Sequence, residues 1–309
     1  MVPISRRWHA RAACVVAAVA LLVTSGQVVA QQRTFQLYTG DDGLSQLSVR
    51  SIFQDRDGYL WIGTQAGVNR FDGVHFRSFD TRNGLPNDWI NAIAQAPDGV
   101  IWVGTNHGAA RIDADGRVED PGFVSGPVND LLIDDDGVVW MATSSGLLRC
   151  VAEHSERMGP GVGLAPAPLV ALERGASDAL LLLSVDGTLQ RWTPGEHVET
   201  FREPKDDLGS GQDLLVRADG RIWASRAQGV VVYDEGRVER VFRAGRDFPR
   251  STPADLAEGP DGTVWMGTRD GVVVFDGKEP RTIGPDQGLP FSSVATVTFD
   301  REGLPWLGG

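Results

Sequence analysis

Six stretches of this chain repeat one pattern: VRSIFQDRDGYLWIGT (49–64), INAIAQAPDGVIWVGT (90–105), VNDLLIDDDGVVWMAT (128–143), GQDLLVRADGRIWASR (211–226), PADLAEGPDGTVWMGT (253–268) and VATVTFDREGLPWLGG (294–309). Their tryptophans are Trp61, Trp102, Trp140, Trp223, Trp265 and Trp306. The 83 residues between Trp140 and Trp223 are twice the usual step, and LVALERGASDALLLLS (169–184) fills that gap with Leu181 in the tryptophan's place. Seven copies result, at steps of 41, 38, 41, 42, 42 and 41 residues. A fixed period of this length marks a fold built from stacked units.

Each position of the repeat has a physical reading. A strand runs from about Val49 to Gln54, and Asp57-Gly58 follows as a hairpin turn. Asp98-Gly99, Asp136-Gly137, Asp219-Gly220 and Asp261-Gly262 take the same place, and Asp-Gly suits turns that need positive φ. The second strand holds three apolar residues in a row, such as Leu60-Trp61-Ile62. A strand with one wet face would alternate, so this one is read as buried on both faces. Two residues past the anchor stands a small residue (Gly63, Gly104, Ala142, Ser225, Gly267, Gly308), with Leu183 the exception. Six residues past it stands a glycine in all six complete copies, the second turn, followed by a third strand such as GVNRFDG from Gly67 and a fourth such as HFRSFD from His75. Four strands in about 41 residues make a propeller blade. The predicted fold is all-β: a β-propeller of four-stranded blades, six complete and a truncated seventh.

The pattern D-x-x-G-x-x-W-x-G-T-x-x-G-V-x-x-F-D-G, followed by Asn83-Gly84-Leu85-Pro86, resembles the two-component regulator propeller repeat. Residues 35–39 (FQLYT) and 42–46 (DGLSQ) are similar to the start of such sensors. The resemblance spans roughly residues 33–309. It implies a periplasmic sensor propeller of a bacterial hybrid histidine kinase or diguanylate cyclase. In that family more repeats, a second β domain, a membrane helix and an output domain follow, and none of these is in this chain.

The first 30 residues read as an export signal: Arg6, Arg7 and Arg11 precede an apolar run from Ala12 to Val23, and Val28 and Ala30 suit cleavage after Ala30. The expected division is therefore a signal peptide at 1–30 and a propeller sensor domain at 31–309, with a periplasmic location and a membrane-anchored full-length protein. Cleavage removes three arginines and no acids, taking the formal charge from −12 to −15. A surface that acidic repels phosphate backbones, so nucleic acid is excluded as a partner. Only Cys150 stays in the mature chain, without a disulfide partner.

Phe35–Thr39 matches a fourth strand with no blade of its own, because it precedes Gly43 as Phe76 precedes Gly84. The seventh copy has no third strand. The reading is an incomplete ring, with Phe35–Thr39 as the outer strand of blade seven if the ring closes.

The repeat tryptophans and turn aspartates read as structural. Trp89 differs: its equivalents are Ser48, Pro127, Pro168, Ser210, Thr252 and Ser293, so a lone aromatic at the mouth of the axial channel is a candidate for stacking on a sugar or other flat ligand. The turns between second and third strands open on the same face, and there Gln65, Asn106, His107, Arg269 and Asp270 are the candidate ligand-binding residues. The four mature histidines lack metal-ligand spacing, no catalytic constellation is apparent, and no cofactor is expected. Cys150 reads as a small buried hydrophobe. The expected function is ligand sensing without catalysis. The partner would be an unknown small molecule or oligosaccharide, with a homodimer forming through the full-length receptor. The alternatives are a secreted propeller enzyme such as a lyase or glycosidase, centred on His107, and a protein-interaction scaffold.

Overall fold

The computed structural model describes residues 15–19, 34–201 and 208–309. The basic start at Arg6, Arg7 and Arg11 and the cleavage point after Ala30 lie outside them. The described residues form seven antiparallel four-stranded sheets. Blade 1 runs outward through Val49–Gln54, Leu60–Thr64, Gly67–Phe71 and Phe76–Phe79. Blades 2 to 6 repeat this order, their inner strands being Ile90–Gln95, Val128–Ile133, Leu169–Arg174, Gly211–Val216 and Leu256–Glu258. Blade 7 draws only two strands from its own repeat, Thr296–Phe299 and Pro305–Gly308. Its third place is taken by Val15–Val19 and its outer place by Thr34–Tyr38.

The apolar cores lie between blades, one at each seam. Trp61 packs with Ile90, Ile93 and Val103 across the seam from blade 1 to blade 2. Its neighbour Ile62 faces the other way, into the seam with Trp306 of blade 7. The same division holds around the ring: Trp102 with blade 3, Trp140 with blade 4, Leu181 with blade 5, Trp223 with blade 6 and Trp265 with blade 7. An unbroken apolar triplet in the second strand is thus an alternation between two cores. Seams are close because the residue two past the anchor is small. A Cβ on Gly63 would lie 2.7 Å from Ile90, and one on Gly104 would lie 2.8 Å from Val128.

Blade 7 seats on blade 1, so the circuit of seams closes. Gly308 abuts Val49, where a Cβ would come to 2.5 Å. Tyr38 stacks on Trp306 at 5.9 Å and meets Phe71 edge-on at 5.0 Å. Arg301 reaches across to the carbonyls of Arg56 and Asp55 at 2.7 and 2.6 Å. The expected incompleteness therefore resides in the strand supply of blade 7, while the outer position expected for Phe35–Thr39 is the one observed.

The hairpin turns correct one reading. Of each Asp-Gly pair only the glycine is left-handed, as at Gly58 with φ 94°. The turn closes from Gly58 N–H to the Asp55 carbonyl at 3.1 Å. Asp55 itself organises it: one oxygen accepts from the N–H groups of Asp57 and Tyr59, and the other accepts from the Trp61 indole at 2.7 Å. Asp134 does the same for Trp140 and Asp300 for Trp306. In these three blades the residue six before the tryptophan is therefore the clamp, because it ties the turn to the core side chain.

Blade 4 compensates for Leu181 and pays for its turn. Trp192 in its third strand packs edge-on against Trp140 at 5.6 Å, and Phe201 meets Tyr233 beside Leu181 at 5.4 Å. Its first turn has no glycine at the tip. Ser177 and Asp178 both take positive φ, 55° and 60°, the geometry that favours glycine at the second position. Asp178→Gly should stabilise the fold by about 1 kcal/mol. Thermal unfolding checks this through an expected rise of about 2 °C, and an unchanged or lower midpoint would contradict it.

Candidate ligand-binding site

The inner strands of the seven blades enclose an axial cavity of about 790 Å³. In blades 1 to 5 the inner strand begins with a register shift that leaves one residue unpaired: Arg50, Asn91, Asn129, Val170 and Gln212. A bulge re-aims its extra side chain, and all five line the cavity. Sequence reasoning missed this ring. Its signal was present at the second position of each copy, which is polar in four of the five.

The mouth lies where lead-in loops meet the turns between second and third strands. Asn106 N–H donates to the Trp89 carbonyl at 3.1 Å, and Gly67 N–H donates to the Asp88 carbonyl at 2.7 Å, so the Gln65 turn is tied beside Trp89. Asn91 Nδ2 donates to Asn106 Oδ1 and to the Val128 carbonyl, each at 2.9 Å. The Arg50 guanidinium lies over the half-buried Trp89 ring, 5.6 Å from its centroid. Surrounding protein lowers the Arg50 pKa from its ordinary value by desolvation, yet an arginine stays protonated through such a shift. Among the cavity-lining residues it is the one cation. Trp89 and Arg50 both depart from the repeat, and the fold brings the two departures into contact.

Of the candidates read from sequence, Trp89, Asn106, His107 and the Gln65 turn gather at blades 1 and 2. Asn106 and His107 are exposed, with the His107 N–H donating to Thr105 Oγ1 at 3.0 Å. Arg269 and Asp270 are exposed on the corresponding turn of blade 6, which blade 7 separates from blade 1, so they do not join that group. None of these candidates lines the cavity itself. His75 faces Asp72 at 3.7 Å on an outer hairpin, away from the mouth. Among the described residues no group of three or more His, Cys, Asp or Glu side chains is placed to hold a metal. Cys150 is buried, and desolvation raises its thiol to about 11, which makes it an unreactive core side chain at neutral pH.

One residue deeper, three aspartates clasp successive blades. Asp130 Oδ2 accepts from Leu172 N–H of blade 4 at 2.9 Å, and Asp213 Oδ2 accepts from Leu256 N–H of blade 6 at 2.8 Å. Asp255 Oδ2 accepts from Val297 N–H at 2.9 Å and from Thr296 Oγ1 at 2.6 Å. Desolvation pushes Asp130 and Glu173 up to about 7, and it raises Asp213 well above the usual carboxylate range, with the charges of Asp255 and Asp130 adding to it. These acids too were missed, although Asp-Leu in the middle of a buried strand, as in NDLL and QDLL, was a visible signal.

The sign of the pH dependence follows. Between about pH 4, where unfolded carboxyls titrate, and about pH 7 the folded chain holds more protons than the unfolded one. Stability is therefore full below that window and is lost as pH rises through it. Carboxyls held low by surface partners, such as Asp80 beside Arg82, lose their contribution only at more acid pH. The urea midpoint should be higher at pH 5.5 than at pH 7.5, and Asp213→Asn should shrink that difference by stabilising the protein at pH 7.5. A midpoint that falls on acidification over this interval would contradict the assignment.

Three stretches of the chain, 43–66, 84–107 and 122–145, match the two component regulator propeller family. A 45-residue segment is 51% identical to Histidine kinase P4 of Formosa agariphila, covering 15% of this chain and 3% of that one. Among solved structures, the extracellular domain of a hybrid two component system from B. thetaiotaomicron aligns with a TM-score of 0.74 at 18% identity, over 88% of this chain and 40% of that one. Virginiamycin B lyase from Staphylococcus aureus aligns with a TM-score of 0.69 at 12% identity, over 86% of this chain and 97% of that one. At such identities these structures establish the fold, and the chain spans well under half of the two-component domain it resembles.

Proposed function

We propose that this chain, which carries two component regulator propeller repeats, is the extracytoplasmic sensing propeller of a bacterial signalling receptor, and that it binds a small polar molecule or oligosaccharide at the channel mouth. The observation that carries this reading is the cluster of Arg50, Trp89, Asn91 and Asn106: a flat aromatic, a cation and paired amides on rigid strand ends. Amides and a guanidinium offer directed donors to hydroxyls or oxyanions, and an indole offers a face to a ring. Export by residues 1–30 and anchoring of a longer receptor in the inner membrane belong to the same proposal. The competing reading is catalysis centred on His107, which is exposed on its turn with its backbone N–H donating to Thr105 Oγ1.

Titration of the purified chain with a panel of oligosaccharides, followed by tryptophan fluorescence, tests the reading. For any member that binds, Trp89→Ala should weaken affinity at least tenfold, about 1.4 kcal/mol, while leaving thermal unfolding unchanged. Binding that survives both Trp89→Ala and Arg50→Gln would place the site elsewhere. Turnover of a panel member that is lost in His107→Ala would replace sensing with catalysis.

A further inference from the structure

The seam between blades 2 and 3 lacks two side chains that recur in other seams. In blades 1, 3 and 7 a carboxylate six residues before the anchor accepts the indole N–H: Asp55 for Trp61, Asp134 for Trp140 and Asp300 for Trp306. In blade 2 that residue is Ala96. Elsewhere an aromatic from the third strand of the facing blade packs on the anchor. Phe71 meets Trp306 at 6.3 Å, Trp192 meets Trp140 at 5.6 Å and Phe275 meets Trp223 at 5.1 Å. Facing Trp102, the same position of the strand register holds Cys150. With both side chains small, the seam opens into a cavity of about 740 Å³ lined by Ala96, Trp102 and Cys150. Small-molecule sites have volumes of roughly 300–1,000 Å³. The cavity lies at the end of the blades away from the mouth, between the Asp98 turn of blade 2 and the Glu153 turn of blade 3.

Two donors address the place of the missing carboxylate. Trp102 is only 6% exposed, and its ring keeps its sisters' position. Arg111 lies over it at 5.7 Å, as Arg70 lies over Trp61 at 5.9 Å and Arg149 over Trp140 at 5.8 Å. That placement directs its indole N–H toward Ala96, and among the described residues it has no acceptor. The Asp98 N–H has none either, whereas its counterpart in blade 1, the Asp57 N–H, donates to Asp55 at 3.0 Å. A buried donor left without an acceptor is costly, so an incoming carboxylate gains both bonds at once. Blade 1 already carries Asp55 and Asp57 on one turn, so a carboxylate beside Asp98 repeats an arrangement the fold holds elsewhere. Blade 5 shows the contrast. There Arg217 occupies the clamp position and Phe275 covers Trp223, whose N–H is sealed in.

The rim selects against a plain anion. Arg111 is paired with Glu119 at 3.3 Å and with Glu153 at 3.0 Å. Asp98, Asp113 and Asp136 face Arg117 as the one further cation of the lining. The entrance is therefore net acidic and attracts an ammonium group, while the donors inside call for a carboxylate. Val100, Val139 and Cys150 add an apolar wall.

We propose that this seam binds a free amino acid or short peptide, with its carboxylate in the position that Asp55, Asp134 and Asp300 fill in other blades and its ammonium toward the acidic rim. This goes beyond recognition at the mouth and does not depend on it, so Trp89→Ala should leave it unchanged. The probes are leucine and glycyl-leucine. Leucinamide, without the carboxylate, and N-acetylleucine, without the ammonium, are the controls. Each is titrated into the full chain and followed by proton–nitrogen NMR of the indole N–H groups, with the Trp102 signal identified by its loss in Trp102→Phe. Saturable shifts of that signal are expected with both probes, and binding roughly tenfold weaker or worse with either control. Ala96→Asp supplies the clamp from the chain itself, so it should raise the melting temperature and abolish the response to leucine. Equal binding of leucine and either control overturns the proposal, as does leucine binding that is unchanged in Ala96→Asp. A Trp102 signal that neither probe moves at millimolar concentration overturns it as well. Should Ala96→Asp not fold, the four ligands on the unaltered chain decide.

Discussion

Every blade of this protein is a thin sheet that must be dry on both faces, and it becomes so only by pressing against two neighbours. The consequence is visible in two adjacent residues of each second strand. The anchor, Trp61 in blade 1, enters the seam ahead, and Ile62 enters the seam behind. Neither core exists within one repeat. Burial of one such side chain contributes about 1.5–3 kcal/mol, and all of it depends on the neighbour being in place. Small residues at Gly63 and Gly104 set the spacing, and the aspartate clamp at Asp55 fixes the indole so that it points into the correct seam.

This constraint explains what could be read from the sequence. A residue whose role repeats in every blade leaves a periodic trace, so the anchors, the turn glycines and the stray outer strand are legible by comparing copies. Trp89 was legible for the opposite reason, as an exception to a column of small residues. Arg50 is an equally clear exception in its own column, yet it was passed over. Its importance comes from a bulge, which depends on hydrogen-bond register and not on residue type. The inter-blade clasps of Asp130, Asp213 and Asp255 were hidden for a related reason. An aspartate in an apolar strand looks like a defect until the next blade's N–H is placed against it. Asp57 was read as the organiser of its turn because it adjoins the glycine, whereas the indole bond runs to Asp55, two residues earlier.

The channel is electrically lopsided. Arg50 stands at blade 1, while the half-buried acids occupy blades 3 to 6. The acids are committed to joining blades. The bulged cavity-lining residues and the clasping acids therefore lie on the same strands, one position apart, as at Asn129-Asp130 and Gln212-Asp213.

The Arg301 contact with Asp55 and Arg56 also bears on how the chain reaches its native state. It joins residues 246 and 245 apart in sequence, whereas the corresponding Arg56 contact with Pro97 spans 41. Loop-closure entropy grows only with the logarithm of that separation, so the last seam costs roughly 1.6 kcal/mol more than any other if formed directly. Once the intervening blades have stacked into an arc, even that excess falls, because the two ends have been carried round to face each other. Assembly can then proceed by local additions, each seam nucleating the next, with the only long-range search left to the final closure.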